Sequence, residues 1–224
     1  MSLARRTASE AIGSAFLLAA VVGSGIMGER LAAGNLAIAL LANTLATGAA
    51  LVALILAFGP ISGAHFNPAV TLAQAVRASI PWRDAAAYIG AQLLGAFVGV
   101  ICAHLMFGEP ALSLSSHARS GMAQAFSELI ATFGLVSVIF GCGRGRSGAV
   151  AYAVGAYITA AYWFTASTSF ANPAVTLARA ATDTFTGISP ADVPSFLVAQ
   201  LFGAGLAGGF FAWLESAELQ ASRA

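Results

Sequence analysis

No lysine occurs among the 224 residues, and only 8% of the chain is charged. A soluble domain carries roughly 25% charged residues, so too few charges are present to cover a surface facing water. The formal net charge of +1 leaves no basic face, which excludes nucleic acid as a partner. Cysteine is nearly absent as well. Cys102 and Cys142 lack metal-ligand spacing, lie in or at the ends of apolar runs, and read as small buried hydrophobes. Nothing calls for a cofactor or a metal, and no pairing of nucleophile with base marks an enzyme. What the chain does have is 58% hydrophobic residues, a composition for which a lipid bilayer is the suitable solvent.

A membrane-spanning helix needs roughly 20 mostly apolar residues. Six stretches qualify, at 10–28, 36–59, 85–107, 122–142, 149–167 and 195–214, each ending at turn residues or charges. The first follows Arg5 and Arg6 as a signal peptide would. Glu10 opens it, however, and five further spans follow, so it reads as a retained helix. With the N terminus inside, the inner segments hold Arg5, Arg6, Arg77, Arg83, Arg144, Arg146 and Arg223. The outer ones hold Arg30, Arg119 and Arg179. Short cytoplasmic loops carry the excess of positive charge, so both termini are expected in the cytoplasm.

The chain also repeats itself. "SEAIGSAF" from Ser9 returns as "SELIATF" from Ser127, which sets Glu10 opposite Glu128. "NPAVTLA" from Asn67 recurs from Asn172, and "AQLLGAFVG" from Ala91 resembles "AQLFGAGLAG" from Ala199. Each half holds three spans, an odd number, so the second half must enter the membrane from the opposite side. Residues 1–224 therefore read as one membrane domain of inverted repeats 1–108 and 121–224, joined by a linker at 109–120. Small residues recur every fourth position at Ala91, Gly95 and Gly99, then at Ala199, Gly203 and Ala207. Such a stripe lets helices pack closely in lipid.

Asn-Pro at the head of each repeated segment reads as a helix start. The asparagine caps, and a proline in the first position gives up no needed hydrogen bond. Asn67, Pro68 and Ala69, and again Asn172, Pro173 and Ala174, should open helices too short to span and therefore re-entrant. Non-helical backbone at membrane depth is tolerated where it is buried in protein or lines a water-filled cavity. Gly63, Ala64, His65 and Phe66 before the first motif, and Thr168 and Ser169 before the second, would present carbonyls as a ladder of acceptors. Two helix N termini meeting near the bilayer centre each bring a partial positive charge, a lining hostile to cations and protons.

Two such motifs in an inverted duplication, with the paired Glu10 and Glu128, resemble the aquaporin (major intrinsic protein) family over nearly the whole chain. The resemblance implies an all-α membrane protein: a right-handed bundle of six transmembrane helices plus two re-entrant half-helices around one pore. It further implies a homotetramer with a pore in each subunit. Glu10 and Glu128 would support the re-entrant loops through hydrogen bonds to their backbone, which the cost of a buried carboxylate also demands. A proton relay is the other reading of the pair. Ser14 and Thr132 match the hydroxyl residue that the family places four positions after each glutamate. His65 is expected to face the pore with its carbonyl more than its ring. His104 reads as a satisfied helix residue, and "CGRGRSG" from Cys142 as a cytoplasmic turn.

In most of the family an arginine directly follows the second motif; here position 175 is valine. The family's offsets from the two asparagines place Thr47 and Ala160 at the selectivity filter, with Ser169 offering its carbonyl. Thr47, Ala160 and Val175 are smaller than the aromatic, histidine and arginine of a strict water channel, so a wide, arginine-free filter is expected. Arg179, one turn beyond Val175, has two readings. It snorkels to the outer interface near a helix C terminus, or it leans into the vestibule and attracts anionic solutes.

The expected function is a passive channel in a bacterial inner membrane for water and small neutral solutes such as glycerol-like polyols. The chain is similar to bacterial aquaglyceroporin-like channels of the arsenic-resistance-associated type, which adds arsenous acid and methylated arsenicals to the expected solutes. One rival is a water-selective channel in which Arg179 replaces the filter arginine. The other is a secondary transporter with broken helices, for which only the two glutamates could serve as coupling groups.

Overall fold

A computed structural model describes residues 1–144 and 147–221; Arg146 and Arg223 of the orientation argument lie outside them. The described chain is helical throughout, in eight α-helices. These are α1 (Leu3–Leu31), α2 (Leu36–Ser62), α3 (Pro68–Val76), α4 (Trp82–Phe107), α5 (Met122–Gly143), α6 (Val150–Phe164), α7 (Pro173–Arg179) and α8 (Val193–Ala221). A 3₁₀ turn at Ser147–Ala149 leads into α6.

Five helices, α1, α2, α4, α5 and α8, are long and apolar enough to cross a membrane. The sixth expected stretch, 149–167, forms the shorter apolar helix α6. α6 has 15 residues, about 22 Å at 1.5 Å per residue, against a hydrocarbon core of about 30 Å. The 3₁₀ turn takes up its start, and after Phe164 the backbone becomes extended at Thr165 on the approach to α7.

Burial is inverted relative to a soluble bundle, as a lipid surround requires. Leu41, Leu45, Phe126, Val198 and Phe202 are exposed, while Glu10, Asn43, Gln92, Glu128 and Gln200 are buried. α1 lies against α4 and α2, α5 lies against α8 and α6, and α2 meets α6. The small-residue stripe permits these approaches. A Cβ at Gly95 would lie 2.1 Å from the Ala11 carbonyl oxygen, and one at Gly203 would lie 2.4 Å from that of Leu129. Both short helices, α3 and α7, pack against α4 and α8, so each half-helix is held by a long helix from either half of the chain.

Candidate functional site

Each half-helix begins with the cap its sequence specifies. The Asn67 Oδ1 accepts from the N–H of Ala69 at 2.9 Å, and the Asn172 Oδ1 accepts from that of Ala174 at 3.0 Å. Proline stands at the first position of both helices. The amides then reach across: Asn67 Nδ2 donates to the Ala171 carbonyl and Asn172 Nδ2 to the Phe66 carbonyl, both at 2.8 Å. Each amide has a second N–H, and both asparagines line the central cavity. The Phe66 carbonyl, expected as a free acceptor, is thus already engaged by Asn172.

The approach to each asparagine is held in a conformation that few side chains adopt. Ala64, Phe66, Thr168, Ser169 and Ala171 have φ between 47° and 60°, a left-handed region costing about 1–3 kcal/mol per non-glycine residue. Buried carboxylates offset this. The Oε1 of Glu10 accepts from the N–H of His65 at 3.0 Å, and its Oε2 from that of Phe66 at 2.7 Å. Glu128 accepts from the N–H groups of Phe170 and Ala171, both at 2.8 Å.

Two glutamines complete the pattern, and reading the sequence missed them. Gln92 Nε2 donates to Glu10 and to Thr71 Oγ1; Gln200 Nε2 donates to Glu128 and to Thr176 Oγ1. Their signal was present, since each is the second residue of the repeated "AQL" run. Ser14 and Thr132 are buried, and their hydroxyls have no partner among the described residues. His104 is satisfied as expected, with Nδ1 on the Pro110 carbonyl and Nε2 on the Thr182 hydroxyl.

A cavity runs past both asparagines, with about 100 Å³ open to the centres of water molecules. Its apolar wall comes from residues spaced by four: Leu17 and Val21 of α1, Leu51 and Ile55 of α2, Leu135 and Ile139 of α5, Val150, Val154 and Ile158 of α6. Its polar wall holds Gly63, Ala64, His65, Phe66, Asn67, Ser169 and Asn172, with Thr47 and Gln74. Thr168 does not line it; its hydroxyl lies near the Arg119 guanidinium instead.

One filter expectation changes, and one of the two readings of Arg179 is favoured. Ala160 is exposed on the outer side of α6, and the cavity-facing residue of that turn is Tyr162, whose O–H donates to Thr47 Oγ1 at 3.4 Å. An offset along the sequence assumes a fixed loop length before α7, whereas the four-residue stripe of α6 decides which side faces in. Val175 lines the cavity. Arg179 does too, and at 2% exposure it is not a snorkelling residue. The cavity therefore contains an arginine one turn beyond Val175.

Arg179 Nε donates to the Thr186 carbonyl, and its guanidinium carbon lies 3.4 Å from the centroid of the Phe170 ring. Arg119, from the linker, donates through Nε to the Gly187 carbonyl at 2.7 Å and lies 5.0 Å from the same centroid. Burial lowers the Arg119 pKa from its ordinary value, the direction expected for a desolvated cation. The linker covers this mouth: Ser113 and Ser115 donate backbone N–H groups to the Ala181 and Ala180 carbonyls. Asp183 accepts from the N–H and O–H of Ser116, which holds its carboxyl below the usual aspartate range. Among the described residues no group of three or more His, Cys, Asp or Glu could hold a metal ion.

Apolar helices enclosing a cavity with one polar wall, and two capped half-helices abutting inside it, define the channel class of membrane protein. Comparison with known proteins narrows this. A model of the major intrinsic protein family matches residues 1–148. The Aquaglyceroporin AqpS of Rhizobium meliloti (strain 1021) is 55% identical, over 95% of this chain and 91% of its own length. The Glycerol uptake facilitator protein of Bacillus subtilis (strain 168) is 35% identical over 40% of this chain and 37% of its own. The X-ray structure of the aquaglyceroporin from Plasmodium falciparum has a TM-score of 0.75 at 24% identity, covering 94% of this chain and 96% of that one. The chain belongs to the major intrinsic protein family, and it is not an enzyme.

Proposed function

We propose that this chain is a passive channel for small uncharged solutes, conducting water and glycerol-like polyols down their gradients. The observation that carries the reading is the two-sided cavity. Aliphatic stripes such as Leu51–Ile55 and Val154–Ile158 oppose Asn67, Asn172 and the loop backbone. A polyol is two-sided in the same way, with carbon on one edge and hydroxyls on the other, so it can shed water without leaving polar groups unpaired. An ion finds no replacement for its hydration shell, and the half-helix N termini oppose cations. The names of the relatives in Rhizobium meliloti and Bacillus subtilis agree with this solute class. Arsenous acid, a neutral trihydroxide of glycerol-like shape, and methylated arsenicals belong to the same reading.

We read residues 1–108 and 121–224 as inverted repeats joined by linker 109–120. The linker then lies outside and both termini in the cytoplasm, in a bacterial inner membrane, and the assembly is a homotetramer. Asn67, Asn172, Thr47, Tyr162, Val175 and the carbonyls of Gly63, Ala64, His65 and Ser169 line the conduction path, with Glu10 and Glu128 supporting its loops. A second reading, a water-selective pore, is favoured by one observation: Arg179 lines the cavity.

Stopped-flow light scattering on vesicles separates the two, with wild type, Val175→Arg and Arg179→Ala challenged by sucrose, glycerol and arsenous acid. The polyol reading expects glycerol and arsenous acid entry in wild type and mainly water entry in Val175→Arg. If wild type admits water alone and Arg179→Ala admits glycerol, the water-selective reading is correct.

A further inference from the structure

Two arginines stand at the linker-side mouth of the cavity, and neither is paired with a carboxylate among the described residues. Arg179 comes from the last turn of α7 and Arg119 from the linker, yet adjacent carbonyls, those of Thr186 and Gly187, hold them through their Nε atoms. Both guanidiniums lie over Phe170, whose ring is fixed by an edge contact with Phe196 at 5.1 Å.

The terminal amino groups remain underused. Arg119 Nη1 makes only long contacts, 3.3 Å to the Ser167 carbonyl and 3.4 Å to Thr168 Oγ1. Arg179 Nη1 has no partner among the described residues, although the side chain is 2% exposed and lines the cavity. Ser169 Oγ, on the same cavity wall, is likewise buried and unpartnered. The nearby carboxylates are engaged elsewhere. Asp183 accepts from Ser116, Asp192 from the backbone N–H of Arg119, and Glu128 from Phe170, Ala171 and Gln200. Arg179 is desolvated and Arg119 partly so, and cations taken out of water are stabilised when an anion pairs with them directly.

We propose that this mouth is a binding site for a small monovalent oxyanion, of nitrate or short carboxylate size, held between Arg119 and Arg179. A guanidinium presents a planar fork that matches two oxygens, and Ser169 Oγ supplies a further donor. The cavity admits only a small ion, and the carbonyl acceptors deeper in the pore oppose an anion's passage. The ion therefore sits at the entrance and obstructs it. Binding follows from the arginine geometry alone; obstruction of solute flux rests on the channel reading above.

The test uses the full chain. In detergent, wild type should broaden the chloride-35 resonance, and added nitrate should reverse the broadening. Arg119→Gln and Arg179→Gln should each reduce the broadening several-fold, while Arg119→Lys should retain part of it. Arg119 lies in the linker, so its variants carry the test even where Arg179→Gln fails to fold. In vesicles, nitrate on the linker side should at least halve wild-type glycerol flux and leave that of Arg119→Gln unchanged. Absent broadening in wild type, or equal broadening in wild type and Arg119→Gln, overturns the site. Normal glycerol flux with no arginine-dependent broadening removes the site and leaves the channel. Arginine-dependent broadening without glycerol flux does the reverse.

Discussion

Glu10 and Glu128 are each 0% exposed, and each directs its carboxylate at backbone N–H groups that have no other acceptor among the described residues. Removing one leaves several buried donors unpaired, whereas exchanging it for an amide keeps one oxygen. Glu128→Ala should therefore destabilise the protein by about 3–5 kcal/mol, and Glu128→Gln by clearly less, read as thermal midpoints in detergent. Equal losses would mean that the amide's retained oxygen and volume rescue nothing, and that the whole effect lies in the carboxylate's charge and second acceptor oxygen. Asp183 has the opposite setting, exposed and outside the spans. Its folded pKa is lowered by the Ser116 hydrogen bonds, so its contribution is present above the unfolded aspartate value and is lost as pH falls through the lowered one. Flux should accordingly be insensitive to this contact near neutral pH, and only strong acid should loosen the linker, seen as faster proteolysis there. The glutamates were legible because their motif recurs; Arg119 was not, since nothing local connects a linker arginine to Phe170.

At the level of elements, the duplicated motif encodes its own geometry. Asn caps, Pro starts, and the left-handed residues ahead of each asparagine follow from the need to aim backbone groups inward. Close approach of the long helices depends on absent side chains. Gly203→Leu should sharply lower the yield of folded, monodisperse protein, because even a Cβ there meets the Leu129 carbonyl. Gly205→Ala, with nothing within 4 Å of the added atom, should leave it unchanged. Gel filtration of the two variants checks both. The length of α6 was not legible. Its apolar run continues to Phe164 and beyond, and only the 3₁₀ turn and the extended backbone at Thr165 reveal where helical geometry stops.

For the whole molecule, a cavity that already passes both asparagines calls for no alternating states. Glycerol flux should rise linearly with its gradient and ignore an imposed proton gradient, measured in vesicles at fixed osmolarity; saturation with proton dependence would instead support the transporter rival. What the sequence alone determined was the solvent, the repeated halves, the half-helix starts and the carboxylates that hold their loops. Those are consequences of composition and of contacts a few residues apart, or of motifs written twice. Only the tertiary structure decided which residues of α6 and α7 face the cavity. It replaced Ala160 by Tyr162, brought Arg179 inward and set Arg119 beside it. Helix rotation and loop length control those placements, and both are fixed by packing against distant parts of the chain, so no local pattern could carry them.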